Sequence, residues 1–204
     1  MRPSVLYRLA VFLSLPFLRF IFHLEAHGKE HVPPDGGFVL AANHNSNFDP
    51  WPLGVPLYPR RYLRFMAKSE LYWVPLKYVL AAGGAFPVRR GEKDEQAIQT
   101  AVELCRAGHC VVMFPEGTRR RKGLRKKWEA RAHSGAARIA LLAGVPLVPA
   151  AIRGTDGLRR LARIRVDYGP AIALDDLRDR DIRDASQEAT ERLMSEIHRL
   201  EQAP

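Results

Sequence analysis

Short apolar runs alternate with amphipathic stretches along most of this chain. The apolar runs are bounded by glycine, proline, asparagine or charged residues, which is typical of buried strands. They predict six strands, at residues 38–42, 62–67, 85–88, 109–114, 147–152 and 164–168. Apolar residues at helical spacing predict helices at 51–58, 69–82, 94–107, 132–143 and 185–201. This alternation predicts an α/β fold, a single domain whose mainly parallel or mixed central sheet is flanked by helices.

The N-terminal segment has a different pattern, because residues 4–24 are mostly Leu, Phe, Val and Ile. Arg8 and Arg19 are eleven positions apart, close to three helical turns, so they share a helical face with His23. No charge-free span reaches the roughly 20 residues that a membrane-crossing helix needs. We therefore predict an interfacial amphipathic helix, with a membrane-associating segment at 1–24 and a globular domain at 25–204. A helix packed on the domain's own core is the alternative.

Composition and charge narrow the choice of partners. The chain has 204 residues, 47% of them hydrophobic, which is enough for one substantial core. Its net charge of +10 indicates an anionic partner, which is a membrane surface, a phosphorylated substrate or a nucleic acid. The cations are most crowded in one stretch: Arg119, Arg120, Arg121, Lys122, Arg125, Lys126, Lys127 and Arg131.

The two cysteines, Cys105 and Cys110, have a spacing that matches no zinc or disulfide framework. Unpaired thiols in a reducing compartment are therefore expected, and we predict no metal site.

A polar loop, Asn-His-Asn-Ser-Asn-Phe-Asp at 43–49, follows the first predicted strand of the sheet. A neutral imidazole can accept a proton near pH 7, and a carboxylate on its second nitrogen fixes the tautomer and stabilises the imidazolium. His44 and Asp49 are therefore a candidate base and its orienting partner. The alternative is a structural histidine, with Asp49 capping a helix or closing a turn before Pro50.

Cations follow three other predicted strands. Lys68 follows the strand at 62–67, Arg89 and Arg90 follow the strand at 85–88, and Arg119 comes soon after the strand at 109–114. Gly117 permits a tight turn there, and a guanidinium such as that of Arg119 suits a phosphate. Ligands of open α/β sheets collect outside the carboxyl ends of the strands, so these side chains and the polar loop predict one site.

Four blocks of the sequence stand in a recognisable order. They are Asn43-His44 with Asp49 (an HX4D pattern), Gly84-Ala-Phe-Pro-Val-Arg-Arg90, Phe114-Pro-Glu-Gly-Thr-Arg119 and Val145-Pro-Leu-Val-Pro149. In these blocks the chain resembles the 1-acylglycerol-3-phosphate acyltransferase family of glycerolipid acyltransferases. The resemblance covers about residues 25–170, so it identifies the region 25–204 as an acyltransferase domain.

The resemblance implies an enzyme that moves a fatty acyl chain from acyl-coenzyme A or acyl carrier protein to the free hydroxyl of lysophosphatidate. The product would be phosphatidate, in phospholipid synthesis, and no cofactor is implied beyond the acyl thioester co-substrate. His44 would act as general base on the hydroxyl, and Asp49 would orient the imidazole. The substrate-binding residues implied are Lys68, Arg90, Glu116, Gly117, Thr118 and Arg119.

Direct attack of the acceptor hydroxyl on the thioester is favoured over a covalent acyl-enzyme. The chain has no Gly-x-Ser-x-Gly elbow, and neither cysteine has a histidine nearby that matches a catalytic pattern. Ser46 is expected to shape the polar loop. The chain departs from the family at His133-Ser134, where a lysine is frequent.

Alternatives remain open for the acceptor substrate and for the class of protein. The acceptor can be another lysophospholipid or a glycolipid precursor, and the basic run 119–131 suits lipid head groups, coenzyme A, a carrier protein or solvent. The rival class is a non-catalytic protein that binds anionic membranes or nucleic acid. No nucleic-acid module or stacking platform is recognisable, so no nucleic-acid partner is expected. The expected location is the cytoplasmic face of the cell membrane, as a peripheral or monotopic protein.

Overall fold

The computed structural model describes residues 3–68, 73–74, 76–88, 95–117 and 132–203. The strands in these ranges are β1 (Glu25–His27), β2 (Phe38–Ala42), β3 (Leu63–Lys68), β4 (Ala85–Val88), β5 (Cys110–Met113), β6 (Leu147–Arg153) and β7 (Arg165–Tyr168). The α-helices are α1 (Val5–Phe20), α2 (Pro50–Gly54), α3 (Leu76–Ala82), α4 (Glu95–Arg106), α5 (Gly135–Ala143) and α6 (Ile182–Glu201).

The strands form one mixed sheet in the order β1-β7-β6-β2-β5-β3-β4. The five strands from β6 to β4 in this order run parallel, whereas β7 pairs antiparallel with β6, and β1 pairs parallel with β7. The carboxyl ends of the five parallel strands therefore meet at one edge of the sheet, where a ligand site is expected. The predicted single-domain α/β fold, with a mixed sheet flanked by helices, is confirmed.

The sheet has a buried core on each face. Every residue of β2 is fully buried, and successive side chains point to opposite faces. Phe38 and Leu40 join a cluster that contains residues of α1 and α2. Val39 and Ala41 join a second cluster, which is built from α4, α5 and α6. Strand β2 is thus packed on both faces, and the polar loop begins where this buried strand ends.

Several elements differ from the predicted bounds. Strand β1 was absent from the prediction, because two of its three residues are polar and it forms by pairing with β7. Helix α6 begins at Ile182 rather than at 185, because the Asp181 carboxylate caps it by accepting from the backbone N–H groups of Arg183 and Asp184. Of the helix predicted at 69–82, α3 covers Leu76–Ala82, Trp73 and Val74 lie outside it, and residues 69–72 and 75 lie outside the described part of the chain.

Helix α1 packs on the core and also keeps an apolar outer face. Tyr7, Val11 and Leu18 are buried in the cluster that contains Phe38 and Leu40. The outer face exposes large apolar side chains: Val5, Leu6, Leu9, Phe12, Leu13, Leu15, Phe17 and Phe20. Among the described residues, no helix combines the length and the apolar character needed to cross a membrane. The core packing offered as the alternative is therefore present, and the outer face is left without a protein partner among the residues described.

Candidate active site

The polar loop starts from an asparagine that ties it to the neighbouring strand. The Asn43 side chain is fully buried, and its amide donates to the Ile152 carbonyl oxygen at 2.9 Å. The Ile152 backbone N–H donates in turn to the Asn43 Oδ1 at 2.7 Å. The side chain of Asn45 donates to the same Ile152 carbonyl at 2.9 Å. Asn43 therefore holds the turn, and the loop is fastened to β6 as it leaves β2.

The structure brings His44 and Asp49 together. The His44 Nδ1 lies 2.8 Å from the Asp49 Oδ2, and the Asp49 side chain is fully buried. The same oxygen accepts from the backbone N–H groups of Asn45 at 2.7 Å and Ser46 at 2.8 Å. Asp49 occupies the position before α2, but its side chain makes no capping hydrogen bond to that helix. The carboxylate thus turns back into the loop instead of capping α2.

This arrangement selects the tautomer of His44. The carboxylate can only accept, so the Nδ1 carries the proton and Nε2 keeps its lone pair. The His44 side chain is 17% exposed, which leaves the ring accessible while its partner is shielded from water. Such an imidazole can take a proton from a bound hydroxyl, and the buried carboxylate then stabilises the imidazolium.

An aromatic ring fixes the plane of the imidazole. The rings of Phe114 and His44 stack with their centroids 4.1 Å apart and an interplanar angle of 19°. Phe114 directly follows β5, so the third sequence block touches the first through this contact. An aromatic face also attracts a positive charge, which favours the protonated ring that forms during proton transfer. The sequence blocks contain Phe114, but their order gives no sign of this stacking.

The loop after β5 turns tightly beside the stacked rings. Gly117 has φ +67°, a conformation that glycine adopts without strain, and its N–H donates to the Phe114 carbonyl. A β-carbon on Gly117 would lie 2.6 Å from the His133 Cδ2, so the imidazole of His133 covers this glycine. The His133 N–H donates to the Pro115 carbonyl at 2.8 Å. The position at which the chain departs from the family pattern therefore lies against the predicted site.

The structure describes some of the predicted substrate-binding residues and not others. The Glu116 side chain is buried in the loop after β5, next to Gly117. Lys68 is the last residue of β3, in register with Val88 of β4, and its side chain is outside the part of the chain that the structure describes. Arg90, Thr118 and Arg119 lie outside the described residues, as do Arg89 and the basic run at 119–131.

Among the described residues, the two cysteines and Ser46 show no features of an activated nucleophile. Burial raises the pKa of the Cys105 thiol to about 12 and that of the Cys110 thiol well above its usual value. Both cysteines are free thiols that stay protonated at neutral pH, which makes them poor nucleophiles. The Ser46 hydroxyl accepts from the Phe48 N–H at 3.2 Å, in keeping with a role in shaping the turn. Among the described residues, no group of His, Cys, Asp and Glu has the arrangement of a metal site.

Comparison with known proteins identifies the family of this chain. A model of the acyltransferase family matches residues 23–153, which is more than half of the chain. A 1-acyl-sn-glycerol-3-phosphate acyltransferase of Bacillus subtilis is 35% identical over 143 residues, 68% of this chain and 66% of the relative. A chloroplastic 1-acyl-sn-glycerol-3-phosphate acyltransferase of Brassica napus, BAT2, is 29% identical over 138 residues, 66% of this chain and 38% of the relative. The chain thus spans less than two thirds of the length of either relative.

A solved structure shares the fold. The crystal structure of the 1-acyl-sn-glycerophosphate acyltransferase PlsC from Thermotoga maritima matches 97% of this chain and 83% of its own, with a TM-score of 0.65. Its sequence identity of 22% supports a common fold and nothing finer. The match of the family model, together with the relatives, confirms the resemblance given by the four sequence blocks. The chain therefore belongs to the acyltransferase family that includes the 1-acylglycerol-3-phosphate acyltransferases.

Proposed function

We propose that this chain transfers a fatty acyl group from acyl-coenzyme A or acyl carrier protein to the free hydroxyl of lysophosphatidate, forming phosphatidate. The observation that carries the proposal is the His44 imidazole, whose Nδ1 is bonded to the buried Asp49 carboxylate at 2.8 Å. This pair lies within the region that matches the family model. The names of the Bacillus and Brassica relatives support the choice of acceptor.

The chemistry is a direct acyl transfer. The His44 Nε2 takes the proton of the acceptor hydroxyl as its oxygen attacks the thioester carbonyl carbon, and the carbonyl oxygen becomes negative. Asp49 stabilises the imidazolium through the Nδ1–H. When the tetrahedral intermediate collapses, the carbon–sulfur bond breaks and the thiolate takes the proton from the imidazolium. The products are the new ester and the free thiol of the donor, and His44 returns to its neutral form.

The acceptor is held by the remaining predicted residues. Lys68 is the last residue of β3, and Arg90 comes two positions after the end of β4 in the sequence; these two neighbouring parallel strands end at the edge that carries His44. Arg119 is two positions beyond Gly117 in the sequence. We propose that these cations bind the phosphate of the acceptor, and that Glu116, Gly117 and Thr118 shape the loop around its glycerol.

An acceptor panel tests the function. Purified protein with labelled acyl-coenzyme A is offered lysophosphatidate, glycerol 3-phosphate, lysophosphatidylethanolamine or a monoacylglycerol, and labelled product is measured. Lysophosphatidate is expected to give the highest kcat/KM. The Arg119→Ala variant is expected to raise KM for lysophosphatidate and to leave the monoacylglycerol rate almost unchanged, because only the former has the phosphate. A higher kcat/KM for another acceptor would reassign the substrate, and no transfer to any of them would overturn the proposal.

The outer face of α1 suits a lipid surface. Phe12 and Phe20 are 74% and 71% exposed, and Arg8 and Arg19 are exposed beside them on the same helix. We propose that this face binds the anionic cytoplasmic surface of the cell membrane, with the apolar side chains among the acyl chains and the arginines at the phosphates. The enzyme would then meet its acceptor at the surface where that lipid resides.

Substitution of the outer face tests this proposal without removing core residues. Deletion of residues 1–23 would take away Tyr7, Val11 and Leu18, so loss of binding would be confounded by loss of the core. The double variant Phe12→Ser, Phe20→Ser is expected to weaken sedimentation with anionic vesicles at least tenfold, because burial of each ring contributes about 1.5–3 kcal/mol. Ile182→Ser, at an exposed apolar position of α6, is the matched control. Undiminished sedimentation of the double variant would exclude α1 as the membrane contact.

A further inference from the structure

A threonine far from the polar loop in sequence completes the surroundings of Asp49. Thr155 follows the end of β6, and its Oγ1 donates to the Asp49 Oδ1 at 2.5 Å. The bond joins residues 106 positions apart, and Thr155 is only 2% exposed while Asp49 is fully buried. The hydroxyl therefore reaches the carboxylate oxygen that the loop itself leaves unused.

The two oxygens of this carboxylate have different partners. Oδ2 accepts from the His44 Nδ1 and from the backbone N–H groups of Asn45 and Ser46. Oδ1 accepts from Thr155. Rotation about the last side-chain bond of an aspartate is soft, so partners on one oxygen alone leave the plane of the carboxylate loosely defined. A donor on the opposite oxygen fixes that plane, and with it the direction in which Oδ2 faces the imidazole.

The backbone before Thr155 has a conformation that only glycine adopts without strain. Gly154 has φ +87°, and a β-carbon there would lie 1.9 Å from the Arg163 carbonyl oxygen, so only glycine fits. The turn that follows directs Thr155 under the loop. Two residues earlier, Ile152 is bonded to the side chains of both Asn43 and Asn45. Ile152 of β6 therefore holds the start of the loop, and Thr155, just beyond β6, holds its carboxylate.

We propose that Thr155 is a positioning residue for the base, acting on His44 through the orientation of the Asp49 carboxylate. The proposal rests on the function assigned above to His44. A merely structural role would be to satisfy a buried carboxylate oxygen, and it would show in stability alone. A positioning role requires that turnover, and the hydrogen bond between His44 and Asp49, change when the hydroxyl is removed without a change of shape.

The variants Thr155→Val and Thr155→Ser separate these roles. Valine keeps the volume and removes the donor, whereas serine keeps the donor. Thr155→Val is expected to lower kcat by roughly 10- to 100-fold with KM for both substrates unchanged, because a small displacement of a catalytic group is costly. Thr155→Ser is expected to recover most of the rate. The downfield proton resonance of the His44 Nδ1–H should shift or broaden in the valine variant and return in the serine variant.

A matched control removes a buried threonine hydroxyl elsewhere. Thr190 on α6 is 6% exposed and donates to the Ser186 carbonyl at 2.6 Å, on the other face of the sheet. Thr190→Val should therefore alter stability and leave kcat and the resonance unchanged. An unchanged kcat in Thr155→Val, or a loss that the serine variant does not recover, would overturn the proposal. If the wild-type protein transfers no acyl group, the proposed function fails, and the resonance alone then decides whether Thr155 orients the His44–Asp49 pair.

Discussion

Replacement of His44 with alanine is expected to abolish measurable acyl transfer while the fold stays intact. A general base contributes about 10²- to 10⁴-fold to a rate, and His44 is the histidine whose Nδ1 is bonded to the buried Asp49 carboxylate. The His44 ring is partly exposed and stacks on Phe114, so its removal costs only modest packing. Initial rates with lysophosphatidate and acyl-coenzyme A, together with a thermal unfolding curve, check this result.

A second histidine supplies the control for that experiment. His27 lies on β1 with a half-exposed side chain, 3.7 Å from the Glu25 carboxylate. A half-exposed contact of this kind contributes little, so His27→Ala should keep both activity and stability. Near-normal activity in His44→Ala would reject the assigned base, whereas equal losses in both variants would indicate a general effect of removing an imidazole.

The Asp49→Asn variant is expected to lose turnover and to keep its affinity for the acceptor. The amide has nearly the same shape but no charge, so it cannot stabilise an imidazolium at His44. A similar change in the Ser-His-Asp triad of a serine protease lowers kcat by about 10⁴-fold, and we expect a loss of at least about 10²-fold here. Because the carboxylate is fully buried, it cannot touch the acceptor, and KM should change little.

The same variant separates a catalytic role from a structural one. Asp49 accepts two backbone N–H groups and the Thr155 hydroxyl, so a fall in unfolding temperature is expected in addition to the loss of rate. Steady-state kinetics at a temperature where both proteins are folded isolates the effect on kcat. An unchanged kcat with a lowered unfolding temperature would show that Asp49 serves only to hold the loop.

Strands with an uninterrupted apolar run could be predicted from the sequence. The runs at 38–42 and 85–88 predict β2 and β4 with the bounds that the structure gives, because glycine precedes each run and a polar residue follows it. Strand β1 could not be predicted in this way, since Glu25 and His27 are polar and the strand exists through its pairing with β7. The pattern of apolar residues indicates which segments are buried. It does not predict a strand that forms only because it pairs with another strand.

The candidate site shows the same division between local and distant contacts. His44 and Asp49 are five positions apart, so a short motif is enough to pair them. Thr155, Phe114 and His133 reach the site only through the order and register of the strands. No pattern within the sequence relates a threonine after β6 to an aspartate before α2. The pair of residues within one loop could be predicted from the sequence. The side chains from other strands that contact this pair could be identified only from the three-dimensional structure.

The hydrogen bonds that fasten the polar loop at the end of β6 affect how such a site can change during evolution. The contacts of Ile152 with Asn43 and Asn45, and the contact of Thr155 just beyond β6 with Asp49, come from the protein itself and involve none of the proposed acceptor-binding cations. The base therefore loses its conformational freedom during folding and not on substrate binding. The free energy of substrate binding remains available to position the two substrates. The proposed acceptor-binding arginines can then be exchanged without disturbing proton transfer. During evolution the preference for the acceptor lipid can therefore change while the base and the loop that holds it are kept.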